Sequence, residues 1–161
     1  MESQTAFNIS LSILAFFSKR NLFNGLTQWA TNQLARLTIF LNKPNIANNV
    51  EELATIWQEL MPEDGREYFK IGEIKKNTAY TEIHLQCPLR GTGNVEACNK
   101  LMNYDRKLMN AAGGTLIVLE SQSNSGKNYC RLAIRKEGLD TSDLIPANKK
   151  GKVNQNKTTT R

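Results

Sequence analysis

Apolar and polar positions recur with two different periods along this chain, and the change between them separates a helical part from a sheet-forming part. Phe7, Leu11, Leu14 and Ala15 fall at spacings of three and four. After a polar break at Ser18-Lys19-Arg20-Asn21 the same spacing returns in Leu26, Trp29, Ala30, Leu34, Leu37 and Leu41. That is the period of an amphipathic helix. It predicts one or two helices over residues 5 to 41, stopped before Pro44 because the residue preceding a proline is pushed out of helical backbone. Asn48 or Asn49 offers an N-cap, and Glu51 and Glu52 suit the positive end of the helix that follows. Val50, Leu53, Ala54, Trp57 and Leu60 share one face of that helix.

From Arg66 the period falls to two. REYFKIGEI, the polar KKNT and AYTEIHLQC read as one β-hairpin, and TLIVLES and YCRLAIRK, joined by SNSGKN, as another. Between them NVEACNKLMNYDRKLMNAA returns to helical spacing and stops at Gly113-Gly114. The order predicts an α+β fold: N-terminal helices plus two β-hairpins forming an antiparallel sheet, with a central helix packed on one face. The expected organisation is a single domain over residues 1–145, helical over 1–64 with a sheet–helix core over 65–136, and a basic disordered tail over 146–161.

Composition changes that picture little, but charge does. A length of 161 residues and an apolar fraction of 40% suit one core. The net charge of +6 sits mainly in Lys149, Lys150, Lys152, Lys157 and Arg161, with no acid after Pro146, so the body is close to neutral. A nucleic-acid partner is therefore not expected, since that function calls for a basic stripe on the folded part. The run ISLSILAFF lacks a basic segment before it and a small-residue cleavage site after it. It is also shorter than the roughly 20 residues that span a bilayer, so a buried helix is expected and a membrane span is not. Three cysteines with no paired spacing argue against a disulfide framework and for a reducing, cytoplasmic setting.

The candidate chemistry gathers between Tyr80 and Ile134. Strand alternation puts Ile83, Leu85 and Cys87 on one face and His84 on the other, and it puts Cys130, Leu132 and Ile134 on the apolar face of the last strand. Helical spacing aligns Cys98, Leu101, Met102, Asp105, Leu108 and Met109. All three thiols thus point toward one interface, either as small core residues or as the lining of a site. Asp105 on an apolar stripe needs a partner or a raised pKa; Arg90 and Lys127 are the candidates for pairing. The loop Arg90-Gly91-Thr92-Gly93-Asn94, just before the helix, combines a positive charge, two glycines and free helix N–H groups, a combination that suits a carboxylate or phosphate as well as a plain cap. It lacks the GK[ST] ending of a P-loop.

Cys87-Pro88, Cys98 and Gly126-Lys127-Asn128-Tyr129-Cys130-Arg131-Leu132 resemble the vinyl-reductase type of small-molecule-binding domain, related in fold to the TRAPP transport-particle subunits. The resemblance covers residues 66 to 136 and implies a pocket for an apolar or tetrapyrrole-like molecule, with metal sometimes held by the cysteines. It departs from that group at Glu120-Ser121-Gln122-Ser123, where a further cysteine is common. The three-cysteine layout is also similar to the aminothiazoline-carboxylate hydrolase family, which implies ring-opening hydrolysis of a small sulfur heterocycle with Cys87 or Cys98 as nucleophile and Asp105 as acid–base or orienting group.

The expectation is thus a ligand-binding or sensor domain with a pocket formed by Cys87, Arg90, Cys98, Met102, Asp105 and Cys130. Its ligand is a small hydrophobic or carboxylate-bearing molecule, a tetrapyrrole, or a metal ion on Cys87, Cys98 and Cys130. The alternatives are a cysteine-dependent hydrolase and a protein-interaction module that forms a homodimer through its N-terminal helices, the last favoured if Trp29 or Trp57 is exposed.

Overall fold

The computed structural model describes residues 24–150. The helix expected over residues 5 to 23 and the tail beyond residue 150 lie outside the described residues. Helix α1 (Asn24–Asn42) leads through Pro44 into α2 (Val50–Glu59), then a 3-10 turn (Glu63–Tyr68), strands β1 (Phe69–Lys75) and β2 (Thr78–Ile83), helices α3 (Val95–Leu101) and α4 (Asn103–Ala111), and strands β3 (Gly114–Glu120) and β4 (Cys130–Lys136). The four strands form one antiparallel sheet in the order β1-β2-β4-β3. The fold is α+β, as the two periods predict.

Local chemistry accounts for most of the boundaries. Asn49 caps α2 by accepting the Glu52 N–H at 2.8 Å, and Glu51 and Glu52 lie in the first turn. The β1–β2 hairpin turns on Lys76 and Asn77, both with positive φ (46° and 60°), the backbone of a tight two-residue turn. Val50, Leu53, Ala54 and Trp57 are buried against the sheet, with Trp57 meeting Phe69 edge-on at 5.6 Å between ring centres. A Cβ placed on Gly114 would lie 2.8 Å from a Leu53 methyl, so the start of β3 admits α2 only because glycine stands there.

Four expectations are corrected. The first hairpin starts later than predicted, because residues 63 to 68 form a 3-10 turn, and β2 ends at Ile83, so Cys87 sits in a loop rather than on a strand. The central helix is two helices meeting at Met102. Arg106 explains the break: its guanidinium donates to the Asn99 carbonyl (2.8 Å) and the Asn99 side chain (2.6 Å), taking the acceptor that a continuous helix would offer to residue 103. In α1 the predicted apolar stripe is not the buried side. Thr31 and Ala35 are buried, and the helix packs on α4 and α3, while Trp29, Leu37 and Leu41 face outward with Phe40. Finally, the body runs past residue 145, since Ala147 belongs to the core.

No helix among the described residues is long and apolar enough to cross a membrane.

Candidate functional site

Where β2 leaves the sheet, the chain folds over the open end of the core, and one buried side chain holds it there. Gln122, 1% exposed, donates from Nε2 to the Leu85 carbonyl at 2.8 Å and accepts the Cys87 N–H at 3.4 Å. Its backbone carbonyl takes the Gly91 N–H at 3.0 Å, and the Ser123 carbonyl takes the Gly93 N–H at 2.8 Å. Gly91 and Gly93 both have positive φ (67° and 70°), the conformation glycine tolerates. The loop expected to present free amides to an anion therefore spends them on the β3–β4 connection, and the Asn94 side chain caps the Ala97 N–H at 2.9 Å. Arg90 is exposed.

Beneath this loop lies a cavity of about 130 Å³. Cys87, Cys98 and Cys130 all line it, as do Met102 and Asp105. Leu34 and Tyr104 close one side, Met61 and Phe69 another. Among the described residues neither Arg90 nor any other cationic side chain lines it. His84 is not among the lining residues either; it stacks on Tyr129 at 5.3 Å and bonds Glu82 at 2.8 Å.

The Cys98 sulfur is surrounded by donors. Ser121 Oγ donates to it at 2.9 Å and is itself bonded to Ser123 Oγ at 2.8 Å. Cys130 lines the same cavity as Cys98, and the two thiols act on each other's protonation. Cys130 in turn accepts the Gln122 N–H at 3.4 Å. Hydrogen bonding from Cys130 lowers the Cys98 pKa to about 7, against the opposing effect of burial, and Ser121 and the Arg106 charge assist. The Cys130 pKa is pushed up, first by that same hydrogen bond and then by burial. When the pair loses a proton, it leaves Cys98, and Cys130 keeps its own.

Asp105 is buried at the cavity wall. Burial raises its pKa to about 6, and the Trp57 indole, donating to Oδ1 at 3.0 Å, offsets part of that shift. Its partner is thus neither Arg90 nor Lys127; Lys127 pairs with Glu120 at 2.6 Å. The three cysteines form no disulfide. Among the described residues no group of three or more His, Cys, Asp or Glu side chains could hold a metal ion, so the three-thiolate metal centre expected on Cys87, Cys98 and Cys130 has no support here. The Cys87 sulfur accepts the Leu89 N–H at 3.4 Å instead.

No protein-family model, curated protein or solved structure matches this chain.

Pattern reasoning placed Cys87, Cys98, Met102, Asp105 and Cys130 on converging faces, and the fold brings them to one cavity. It missed Gln122, Ser121 and Trp57. The only signal for the first two was the polar Ser-Gln-Ser run directly after an apolar strand, which reads equally well as an exposed turn.

Proposed function

We propose that this domain binds a small, neutral, single-ring apolar molecule in the cysteine-lined cavity, in keeping with the resemblance to the vinyl-reductase type of binding domain. The cavity carries the reading: its walls are mainly Leu, Ile, Met, Phe, Pro and Cys side chains, with a carboxyl group at Asp105. Apolar cavities near 150 Å³ take up benzene, and 130 Å³ is close to that size. A tetrapyrrole, with four linked rings, needs several times the volume. A carboxylate-bearing ligand would meet Asp105 with no cation to offset it, so a ring bearing a neutral hydrogen-bond donor suits the site better. The absence of disulfides among the three cysteines fits a reducing, cytoplasmic setting.

Calorimetric titration with toluene, phenol and benzoate tests this. Saturable binding of toluene or phenol, abolished by filling the cavity with Leu101→Trp in a variant that keeps its far-UV spectrum, is the expected result. Binding of benzoate alone, or of none of the three, would overturn it.

The hydrolase alternative has a nucleophile and an acid–base group on one cavity, in Cys98 and Asp105. The nearby Gly91 and Gly93 amides, which could have formed an oxyanion site, are already bonded to the Gln122 and Ser123 carbonyls. The interaction-module alternative draws on α1, where Trp29 is 59% and Phe40 71% exposed.

A further inference from the structure

Cys98 has a second side, turned away from the apolar cavity. There a pocket of about 20 Å³ is bounded by Cys98, Asn99, Arg106 and Ser121, with Val95, Val118 and the Pro146–Asn148 segment closing it. A volume of roughly 10–15 Å³ on this measure holds one water, so a molecule only slightly larger than water fits. Its walls pair a sulfur with the guanidinium of Arg106 and the hydroxyl of Ser121. Cys130, from a different element, lines the larger cavity together with Cys98, and the adjacent residues Ser121 and Gln122 donate to the two sulfurs, Ser121 Oγ to Cys98 at 2.9 Å and the Gln122 N–H to Cys130 at 3.4 Å.

We propose that Cys98 and Cys130 form a peroxide-reactive dithiol site, in which Cys98 attacks hydrogen peroxide and Cys130 resolves the product. In the first step the Cys98 thiolate attacks one peroxide oxygen. An S–O bond forms, the O–O bond breaks, and the departing hydroxide takes a proton to leave as water; sulfur is oxidised to the sulfenic acid and the peroxide is reduced. In the second step the Cys130 thiol gives up its proton and its sulfur attacks Cys98. The S–S bond forms, the S–O bond breaks, and the oxygen leaves as a second water. Two thiols and one peroxide thus become one disulfide and two waters. Arg106 and Ser121 line the same pocket, and a positive charge and a hydroxyl beside the sulfur favour the charge that gathers on the leaving oxygen. With its pKa lowered to about 7, Cys98 is a substantial part thiolate at neutral pH, the form that reacts. Cys87 plays no part, since its sulfur is held by the Leu89 N–H in the loop. The disulfide would tie α3 to the start of β4 and remove the acceptor of Ser121.

The site stands whether or not a ring occupies the larger cavity, so this proposal and the binding reading can fail separately. The full chain is treated with hydrogen peroxide, alkylated, and mapped by mass spectrometry without reduction. The expected product has lost two hydrogens, carries a Cys98–Cys130 cross-linked peptide and has Cys87 alkylated. A cross-link through Cys87, a covalent dimer, or survival of all three thiols would overturn the proposal. Cys130→Ser should leave a sulfenic acid on Cys98 that dimedone traps; trapping at Cys87 instead would also overturn it. The mapping of the unaltered chain needs no variant, so a folding defect in Cys130→Ser would not blunt the test.

Discussion

Asp105 and Cys98 show how burial and hydrogen bonding divide the work of tuning a side chain. Burial dominates at Asp105 and lifts its pKa from 3.8 to about 6. Between those values the folded protein holds a proton that the unfolded chain has released, so this group's contribution to stability falls as pH rises from about 4 to 6 and stays lost above. Asp105→Asn keeps an acceptor for Trp57 and removes the charge. It should stabilise the protein at pH 8 by on the order of 1–3 kcal/mol and have little effect at pH 4. Urea denaturation at the two pH values checks this; an equal effect at both would sink it. At Cys98 hydrogen bonding prevails. The groups facing it are Cys130 from β4, Ser121 from the connection after β3, and Arg106 and Asp105 from α4. Its alkylation rate should rise about tenfold between pH 6 and 8 and level off, as a thiol with a pKa near 7 does. A rate still climbing steeply at pH 9 would show an ordinary thiol.

At the scale of elements, loops rather than strands build the site. The loop after β2 and the connection after β3 are laced together by Gln122, which reaches Leu85 and Cys87 with its side chain and Gly91 with its carbonyl. Gln122→Ala leaves the half-buried Leu85 carbonyl and Cys87 N–H without that partner, so a loss of about 1–3 kcal/mol is expected. Amide exchange in the Gly91 to Gly93 stretch should quicken more than in β4. Uniform exchange throughout would mean that Gln122 does not anchor the loop. The break between α3 and α4 has a similar local origin, in the bonds from Arg106 to Asn99. The helical period ran straight through that point, because spacing records which face a residue occupies and says nothing about a side chain that claims a backbone acceptor.

For the whole molecule, the telling feature is the outward face of α1. Trp29, Leu37, Phe40 and Leu41 are exposed there, and exposed apolar patches of this kind mark contact surfaces. If a second copy covers this face, sedimentation should show concentration-dependent association, weakened at least about tenfold by Phe40→Glu, in line with the 1.4 kcal/mol or more that one central aromatic contributes to an interface. A monomer across the whole range would exclude self-association through α1.

The sequence by itself determined the alternation of helical and strand-forming stretches, the α+β class, an N-cap at Asn48 or Asn49, the apolar face that carries Trp57 and the convergence of the three cysteines. Each of these follows from local spacing or local hydrogen bonding, which a chain carries wherever it folds. Only the tertiary structure decided that Thr31 and Ala35, not the Leu-rich stripe, form the packed side of α1. It alone decided that the glycine loop closes on Gln122 and Ser123 instead of opening to an anion. It also made Trp57 the partner of Asp105 and set Cys130 against Cys98. Those outcomes depend on groups 30 to 71 positions apart competing for the same space and the same hydrogen bonds, and no pattern along the chain records which of them wins.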